Sequence, residues 1–170
     1  MSEKLKDLMK LLEKDPKNEN LLTKISFIHY KNGNILESIK YIKQAININP
    51  GNPYFWHNLG FFYYEIDEYD KAEQSLTKAI ELNPKLEISL LELSSVLLDK
   101  GNLKKSILIA NKILKMNPNN TDALTNLGSA YFKLKKFGKS IKYLHHALSL
   151  NPNLSFTKKV LKMVEEEASK

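Results

Sequence analysis

The chain contains no cysteine and no arginine among its 170 residues. Without cysteine it has no disulfide, no thiolate nucleophile and no sulfur-ligated metal site. All 26 basic residues are lysine, so no side chain offers the bidentate guanidinium contact that favours phosphate and base recognition. No uncharged apolar run approaches the roughly 18 residues of a membrane span. The first residues carry charges, which leaves no apolar core for a signal peptide, and we expect a cytoplasmic protein.

Catalytic patterns are also lacking. The sequence has no His-Glu-x-x-His pair, no phosphate loop and no Gly-x-Ser-x-Gly elbow. Of its four histidines, His145 and His146 are adjacent rather than one helical turn apart, so they do not share a helix face. We therefore expect no metal, no cofactor and no enzymatic activity.

Proline is rare but regularly placed. Five of the six prolines stand 34 residues apart, at Pro16, Pro50, Pro84, Pro118 and Pro152. A fixed period of this size is typical of a repeat architecture. When the repeat is started at Glu19, four full repeats follow, and a residue's place within its repeat is called its position below. The four repeats are residues 19–52, 53–86, 87–120 and 121–154.

The second and fourth repeats carry the clearest signature. Repeat two has Trp56, Leu59, Gly60 and Tyr63, followed by Ala72, Leu76, Ala79 and Pro84, and repeat four has Leu124, Leu127, Gly128 and Tyr131, followed by Ser140, Leu144, Ala147 and Pro152. This pattern resembles the tetratricopeptide repeat family. The resemblance implies an all-α fold, a right-handed α-α superhelix (solenoid) of four repeats. Residues 1–18 are expected to form an N-terminal half repeat, 19–154 the four repeats, and 155–170 a C-terminal capping helix.

Physical reasons support the pattern. Small residues at position 8 (Ser26, Gly60, Ser94, Gly128) let the second helix of each repeat approach the first, and this close packing must offset about 1 kcal/mol of helix propensity for each glycine. Gly33 and Gly101 sit between paired helices, where a left-handed residue is often needed, and Asp67 and Lys135 hold the matching place. The expected helices span 20–32, 36–48, 54–66, 70–82, 88–99, 104–116, 122–134 and 138–150.

The two ends differ from the repeats. Residues 2–14 place leucines at helical spacing before Pro16 and resemble the second helix of a truncated repeat. Residues 155–168 are expected to place Phe156, Val160, Leu161 and Val164 on one face opposite a charged face, with Ser155 as the helix N-cap. Such capping elements are what a stack of repeats requires at its ends.

In tetratricopeptide proteins the first helices line a concave groove, and this resemblance supplies the candidate site. One row of equivalent residues, at position 12, is large and apolar in every repeat, which favours a binding surface for a peptide or helix of another protein. The alternative interpretation is that this row packs against adjacent helices. Asparagines at position 6 could hold the backbone of a bound peptide. The candidate peptide-binding residues are Phe27, Tyr30, Tyr54, Asn58, Phe61, Tyr64, Leu98, Asn126 and Phe132.

Charge leaves two other functions open. Residues 53–99 hold three lysines against nine acids, and residues 100–142 hold ten lysines against Asp122 alone. The lysine-rich segment could bind nucleic acid or anionic lipid, or its surface could simply be solvated. Opposite charges could also join neighbouring copies into a homo-oligomer. A protein-interaction scaffold is the favoured interpretation.

Overall fold

The computed structural model describes residues 3–170, and every regular element within that range is an α-helix. Ten helices occur there, and no strand, which confirms the all-α expectation. The observed ends lie within two residues of the expected ones. The helices are α1 (Glu3–Lys14), α2 (Glu19–Lys31), α3 (Ile35–Ile48), α4 (Pro53–Tyr64), α5 (Tyr69–Leu82), α6 (Glu87–Asp99), α7 (Leu103–Met116), α8 (Thr121–Lys133), α9 (Phe137–Leu150) and α10 (Ser155–Ala168). None of the helices in residues 3–170 combines the length and apolar character needed to cross a membrane.

The chain forms two compact halves, Met1–Ser89 and Leu90–Lys170. In the N-terminal half each helix from α1 to α5 packs against its neighbour in the chain, and in the C-terminal half the same holds from α7 to α10. The apolar residues of the repeat signature form the cores. Four of them are fully buried: Leu76, Ala79, Leu127 and Leu144. Because each repeat needs apolar residues at the same buried positions, the period of 34 residues is regular.

Two glycines permit the closest helix contacts. A Cβ atom on Gly60 would stand 2.6 Å from Cγ of Leu76 and 3.2 Å from its backbone nitrogen. A Cβ atom on Gly128 would stand 2.5 Å from Cγ of Leu144. Both distances are shorter than van der Waals contact, so the expectation that position 8 must be small is confirmed at both places.

All four repeats turn between their helices through a left-handed residue. Gly33 and Gly101 have φ angles of 77° and 84°, and Asp67 and Lys135 have 58° and 56°. In repeat four the N–H of Lys135 donates to the carbonyl of Phe132, and the N–H of Lys136 donates to that of Tyr131. These two bonds are the Schellman pattern that closes a helix C-terminus, and the other three repeats have it too.

Asparagine begins many of the helices. The side chains of Asn18, Asn52 and Asn120 accept a hydrogen bond from a backbone N–H in the first turn of α2, α4 and α8. Such caps satisfy donors that the helix leaves open. The expected N-cap at Ser155 is wrong, because Leu154 is the N-cap residue and Ser155 is the first residue of α10.

The end helices are only partly covered. In α10, Val160, Leu161 and Val164 pack into the core beside Leu144, but Phe156 is 63% exposed. The expectation that Phe156 shares the buried face is therefore wrong. The next residue, Thr157, is the one that is buried at this end of α10.

Candidate functional site

An aromatic cluster joins α2 and α4 in the N-terminal half. Phe62 is fully buried at its centre, with Phe27 edge-on at 5.6 Å, Tyr30 at 5.6 Å and Phe61 at 5.7 Å between ring centroids. Tyr30 also meets Phe61 edge-on at 5.1 Å. Each such pair contributes about 0.5–1.5 kcal/mol beyond the area it buries. Phe27, Tyr30 and Phe61 remain partly exposed, so the cluster both holds the two helices together and offers an aromatic surface.

The hydroxyl of Tyr30 extends this contact. It donates a hydrogen bond of 2.9 Å to Oε2 of Glu65 at the end of α4. An equivalent link occurs in the C-terminal half, where Nζ of Lys133 donates to the backbone carbonyl of Leu98 at 3.0 Å and lies 3.8 Å from Oδ1 of Asp99. Position 12 of one repeat is therefore joined to position 13 of the next in both halves.

Three further predicted residues lie on α4. Tyr54 is 56% exposed at the first turn, Asn58 is half-buried one turn later, and Tyr64 is half-buried at the last turn with Tyr69 of α5 at 6.1 Å. Within residues 3–170 the Asn58 side chain makes no hydrogen bond. Its amide is free to serve as both donor and acceptor to a ligand.

The C-terminal half places its predicted residues differently. Leu98 is only 7% exposed, so it packs in the interior and presents no binding surface, unlike its equivalents Tyr30 and Tyr64. A leucine is shorter than an aromatic ring and fits among neighbouring helices without reaching the surface. The interpretation of position 12 as a packing row is correct at this residue.

Asn126 and Phe132 are both half-buried and already have neighbours. Nδ2 of Asn126 donates to Oγ of Ser95 at 3.1 Å, which leaves its carbonyl oxygen and second N–H. Phe132 lies 6.2 Å from Phe137 and packs against the core formed by α9 and α10. The solvent-exposed residues of α8 are the charged Asp122 and Lys133, whereas that of α4 is the aromatic Tyr54.

One inward-facing residue has unusual electrostatics. His57 is buried on α4, and its Nδ1 lies 3.2 Å from Oγ of Ser89. Burial lowers the pKa of His57 below its ordinary value of 6.5, because the charged imidazolium loses its hydration. The C-terminal half has Thr125 at the equivalent position, hydrogen-bonded to Thr157 at 2.9 Å, and this pair does not titrate.

The lysine-rich segment is exposed as expected. Three of its ten lysines, Lys100, Lys133 and Lys135, lie at or just after the ends of the first helices α6 and α8. The other seven lie on the second helices α7 and α9 or directly before α9 and are solvent-exposed: Lys104, Lys105, Lys112, Lys115, Lys136, Lys139 and Lys142. Lys139 lies over the ring of Tyr131 at 5.3 Å. Within residues 3–170 there is no cluster of histidine and acidic side chains that could hold a metal ion.

Sequence reasoning missed two parts of this surface. Phe62, the centre of the aromatic cluster, is not among the predicted site residues, although position 10 is apolar in all four repeats. A cleft between α1 and α2, of about 520 Å³, includes Phe27 and three lysines. A signal for this cleft was present in the sequence, because Lys4 stands where the four full repeats have serine or alanine.

Known proteins share both the sequence pattern and the fold. Sequence profiles of the tetratricopeptide repeat match residues 53–86 and 121–154, and residues 20–52 and 89–120. No curated protein matches this sequence. Among solved structures, MamA is 24% identical, with a TM-score of 0.81 over 87% of this chain and 86% of its own.

Two other structures show the same fold at lower identity. YrrB, described as a tetratricopeptide protein with an unusual peptide-binding site, is 19% identical, with a TM-score of 0.81 over 93% of this chain and 81% of its own. A tetratricopeptide repeat protein from Parabacteroides merdae is 18% identical, with a TM-score of 0.89 over 98% of this chain and 66% of its own. Because profile matches, glycine contacts and left-handed turns recur in all or several of the four repeats, the chain belongs to the tetratricopeptide repeat family.

Proposed function

We propose that this protein is a non-catalytic scaffold that binds a helix or extended peptide of a partner protein on the exposed first-helix face of α2 and α4. Tetratricopeptide repeat proteins are scaffolds for protein–protein interaction. The observation that supports this particular surface is the aromatic cluster: Phe27, Tyr30 and Phe61 pack against the buried Phe62 and are still partly exposed. Preformed aromatic surface loses little entropy on binding and supplies the usual anchors of an interface.

Polar groups beside the cluster give it a means to orient a peptide. Asn58 offers an amide without a hydrogen bond among residues 3–170, and Tyr54 and Tyr64 stand at opposite ends of α4. Amide side chains can pair with both the N–H and the C=O of an extended backbone. YrrB has the same fold and an unusual peptide-binding site, so this use of the fold has a precedent.

In the C-terminal half we propose a smaller contact region at Asn126 and Phe132. Asn126 keeps one N–H and its carbonyl oxygen for a ligand after bonding Ser95. Leu98 is left out of the proposed contact residues because it is buried. A true anchor in either half should contribute about 2 kcal/mol or more to binding.

The test compares three baits: the wild type, a Tyr54→Ala/Tyr64→Ala variant, and a Lys112→Glu/Lys115→Glu variant. Proteins captured from the source organism's lysate are quantified, and overlapping peptides of the captured protein are titrated against each purified bait. We expect micromolar affinity for a peptide, about −8 kcal/mol, a loss of about thirtyfold in the tyrosine variant, and no loss in the lysine variant.

Loss of binding in the lysine variant instead of the tyrosine variant would place the binding site elsewhere. If only the lysine variant loses its partner, the exposed lysines of α7 are the binding surface, and nuclease treatment of the lysate would tell whether nucleic acid is the ligand. The melting temperature of each variant is measured on the same sample, because a bait that has lost its fold says nothing about its surface.

A further inference from the structure

The cleft between α1 and α2 is lined by apolar and basic residues. It encloses about 520 Å³, within the range of about 300–1,000 Å³ that is common for ligand sites. Its apolar lining includes Leu8, Phe27 and Ile28. Two of these, Leu8 and Ile28, are less covered than every equivalent residue elsewhere in the chain.

Leu8 holds the position that in each full repeat packs under its own first helix. Leu76 and Leu144 at this position touch Gly60 and Gly128 of that helix and are fully buried, as are Ile42 and Ala110. Leu8 is only half-buried, because no helix precedes α1 within residues 3–170. The uncovered side of α1 is therefore the face that a first helix covers elsewhere.

Ile28, on the α2 side of the cleft, is likewise less buried than its equivalents in the other repeats. It holds position 10, where Phe62, Val96 and Ala130 are fully buried. Phe62 is covered by Phe27 and Tyr30 of the preceding first helix. Within residues 3–170 no preceding first helix covers Ile28, which is half-buried. The cleft thus lies at the place that, in the full repeats, is covered by a first helix.

Lysines decide what kind of helix fits. Lys4, Lys24 and Lys31 line the cleft, and none of the described residues that line it is acidic. Among residues 3–170 none of the three lysines makes an ion pair. Lys4 moreover stands at position 20, where the full repeats have a buried serine or alanine. A helix entering the cleft meets the ammonium group of Lys4 where the other first helices meet a small neutral side chain.

We infer that the α1–α2 cleft binds an amphipathic helix of a partner protein, whose apolar face covers Leu8, Phe27 and Ile28 and whose flanks carry Asp or Glu. The inference rests on the proposed function in that the ligand is a segment of another protein, and the two surfaces share Phe27 on α2, but the cleft extends to α1 rather than to α4. Binding of an amphipathic helix in an apolar groove is a common recognition mode, and complementary charge sets its register and its choice of partner.

The chain itself supplies a suitable probe. A synthetic peptide of residues 87–99, Glu-Ile-Ser-Leu-Leu-Glu-Leu-Ser-Ser-Val-Leu-Leu-Asp, has the first-helix signature and three acids. With blocked ends and a fluorescent label, it is titrated with the full chain and followed by anisotropy. We expect saturable binding with a dissociation constant in the range of roughly 1–100 μM, weakening as salt rises past about 0.15 M. A scrambled peptide of the same composition should bind at least tenfold more weakly.

Matched charge reversals locate the binding. Lys24→Glu/Lys31→Glu changes exposed cleft residues and should weaken probe binding at least tenfold. Lys112→Glu/Lys115→Glu makes the same charge change on exposed residues of α7 and should change it less than twofold. Circular dichroism and melting temperature verify that both variants keep the fold.

Three outcomes would overturn the inference: equal binding of the scrambled peptide, equal loss in both charge variants, or no binding at all. A peptide-free dimer in sedimentation that the cleft variant abolishes would show that a second copy, not a partner helix, is the occupant. The Tyr54→Ala/Tyr64→Ala variant should still bind the probe. If it keeps the probe and also keeps the captured partner, the proposed function fails while the cleft inference stands.

Discussion

The first helices of the two halves share their packing positions but differ at the positions between them. At position 9 the N-terminal half has Phe27 and Phe61, both partly exposed, and the C-terminal half has Ser95, which is partly exposed, and Ser129, which is buried. At position 10 the fully buried Phe62 is matched by Ala130. The same backbone arrangement therefore carries an aromatic surface in one half and small side chains in the other.

Charge follows the same division. The N-terminal half has 12 lysines against 13 acids, and the C-terminal half has 14 lysines against 6 acids. The signature residues therefore specify how the helices pair, and we propose that the variable positions specify which partner the surface binds. This is why we assign partner binding mainly to α2 and α4.

The largest expected effect tests the shared packing. Ala79→Trp and Ala147→Trp each force a large ring into a fully buried helix contact, and each should lower the free energy of unfolding by about 3 kcal/mol. Chemical denaturation of both variants measures this. If either variant keeps the wild-type midpoint, the alanine does not lie in a tight contact and the equivalence of the halves fails.

The next largest effect is a difference in stability between substitutions at position 9 in the two halves. Phe61→Ala removes aromatic contacts with Tyr30 and Phe62 and should cost about 1–2 kcal/mol of stability. Ser129→Ala removes a buried hydroxyl that has no hydrogen-bond partner among residues 3–170, so it should be neutral or stabilising by up to about 1 kcal/mol. In urea unfolding, the midpoint of Phe61→Ala should fall, and that of Ser129→Ala should rise or stay unchanged. A loss of stability in Ser129→Ala would contradict the comparison.

A smaller effect is pH dependence in the N-terminal half. Because burial lowers the pKa of His57 below 6.5, the unfolded state binds a proton more readily than the folded state. Stability from the neutral imidazole is therefore full above pH 6.5 and is lost as the pH falls through the window below it, with a slope of at most about 1.4 kcal/mol per pH unit. The difference between the wild type and His57→Gln, measured from pH 7.5 to 5.5, isolates this residue. Parallel curves for the two proteins would show that His57 does not contribute.

The smallest effect concerns the left-handed turns. Lys135→Gly relieves a non-glycine residue at φ 56° and should raise stability by about 0.5–1 kcal/mol. Asp67→Gly should give less, because Oδ1 of Asp67 accepts a 2.7 Å hydrogen bond from the hydroxyl of Tyr69, which the substitution removes. Thermal unfolding ranks the two variants. A larger gain from Asp67→Gly would mean that this hydrogen bond contributes nothing.

Most of the fold was readable from the sequence because its signals are local. Proline and left-handed turn residues act on their own segment of backbone, and together with the 34-residue period they predicted the helices of residues 3–170 to within two residues. Gly60 and Gly128 predicted the closest contacts because only a missing Cβ leaves room for Leu76 and Leu144. The prediction of Ser155 as the N-cap was wrong by one residue, because the helix begins at Ser155 and the cap is Leu154.

The candidate site was readable only in part. The row at position 12 was identified correctly as large and apolar, but its exposure was not readable: Tyr30 and Tyr64 reach the surface, and Leu98 does not. Exposure depends on side chains about 31–35 residues away, such as those that pair Tyr30 with Glu65 and Asn126 with Ser95. A pattern within one repeat does not contain those neighbours.

The sequence by itself determined the 34-residue period, the helix pairs and the residues that must be small, because these follow from backbone geometry and from contacts inside one repeat. Only the tertiary structure decided that Phe62 is the centre of an aromatic cluster, that His57 loses its hydration, and that Leu8 and Ile28 are left uncovered beside three lysines. Those properties arise from contacts between repeats, where the identity of each neighbour, rather than the period, sets burial and charge.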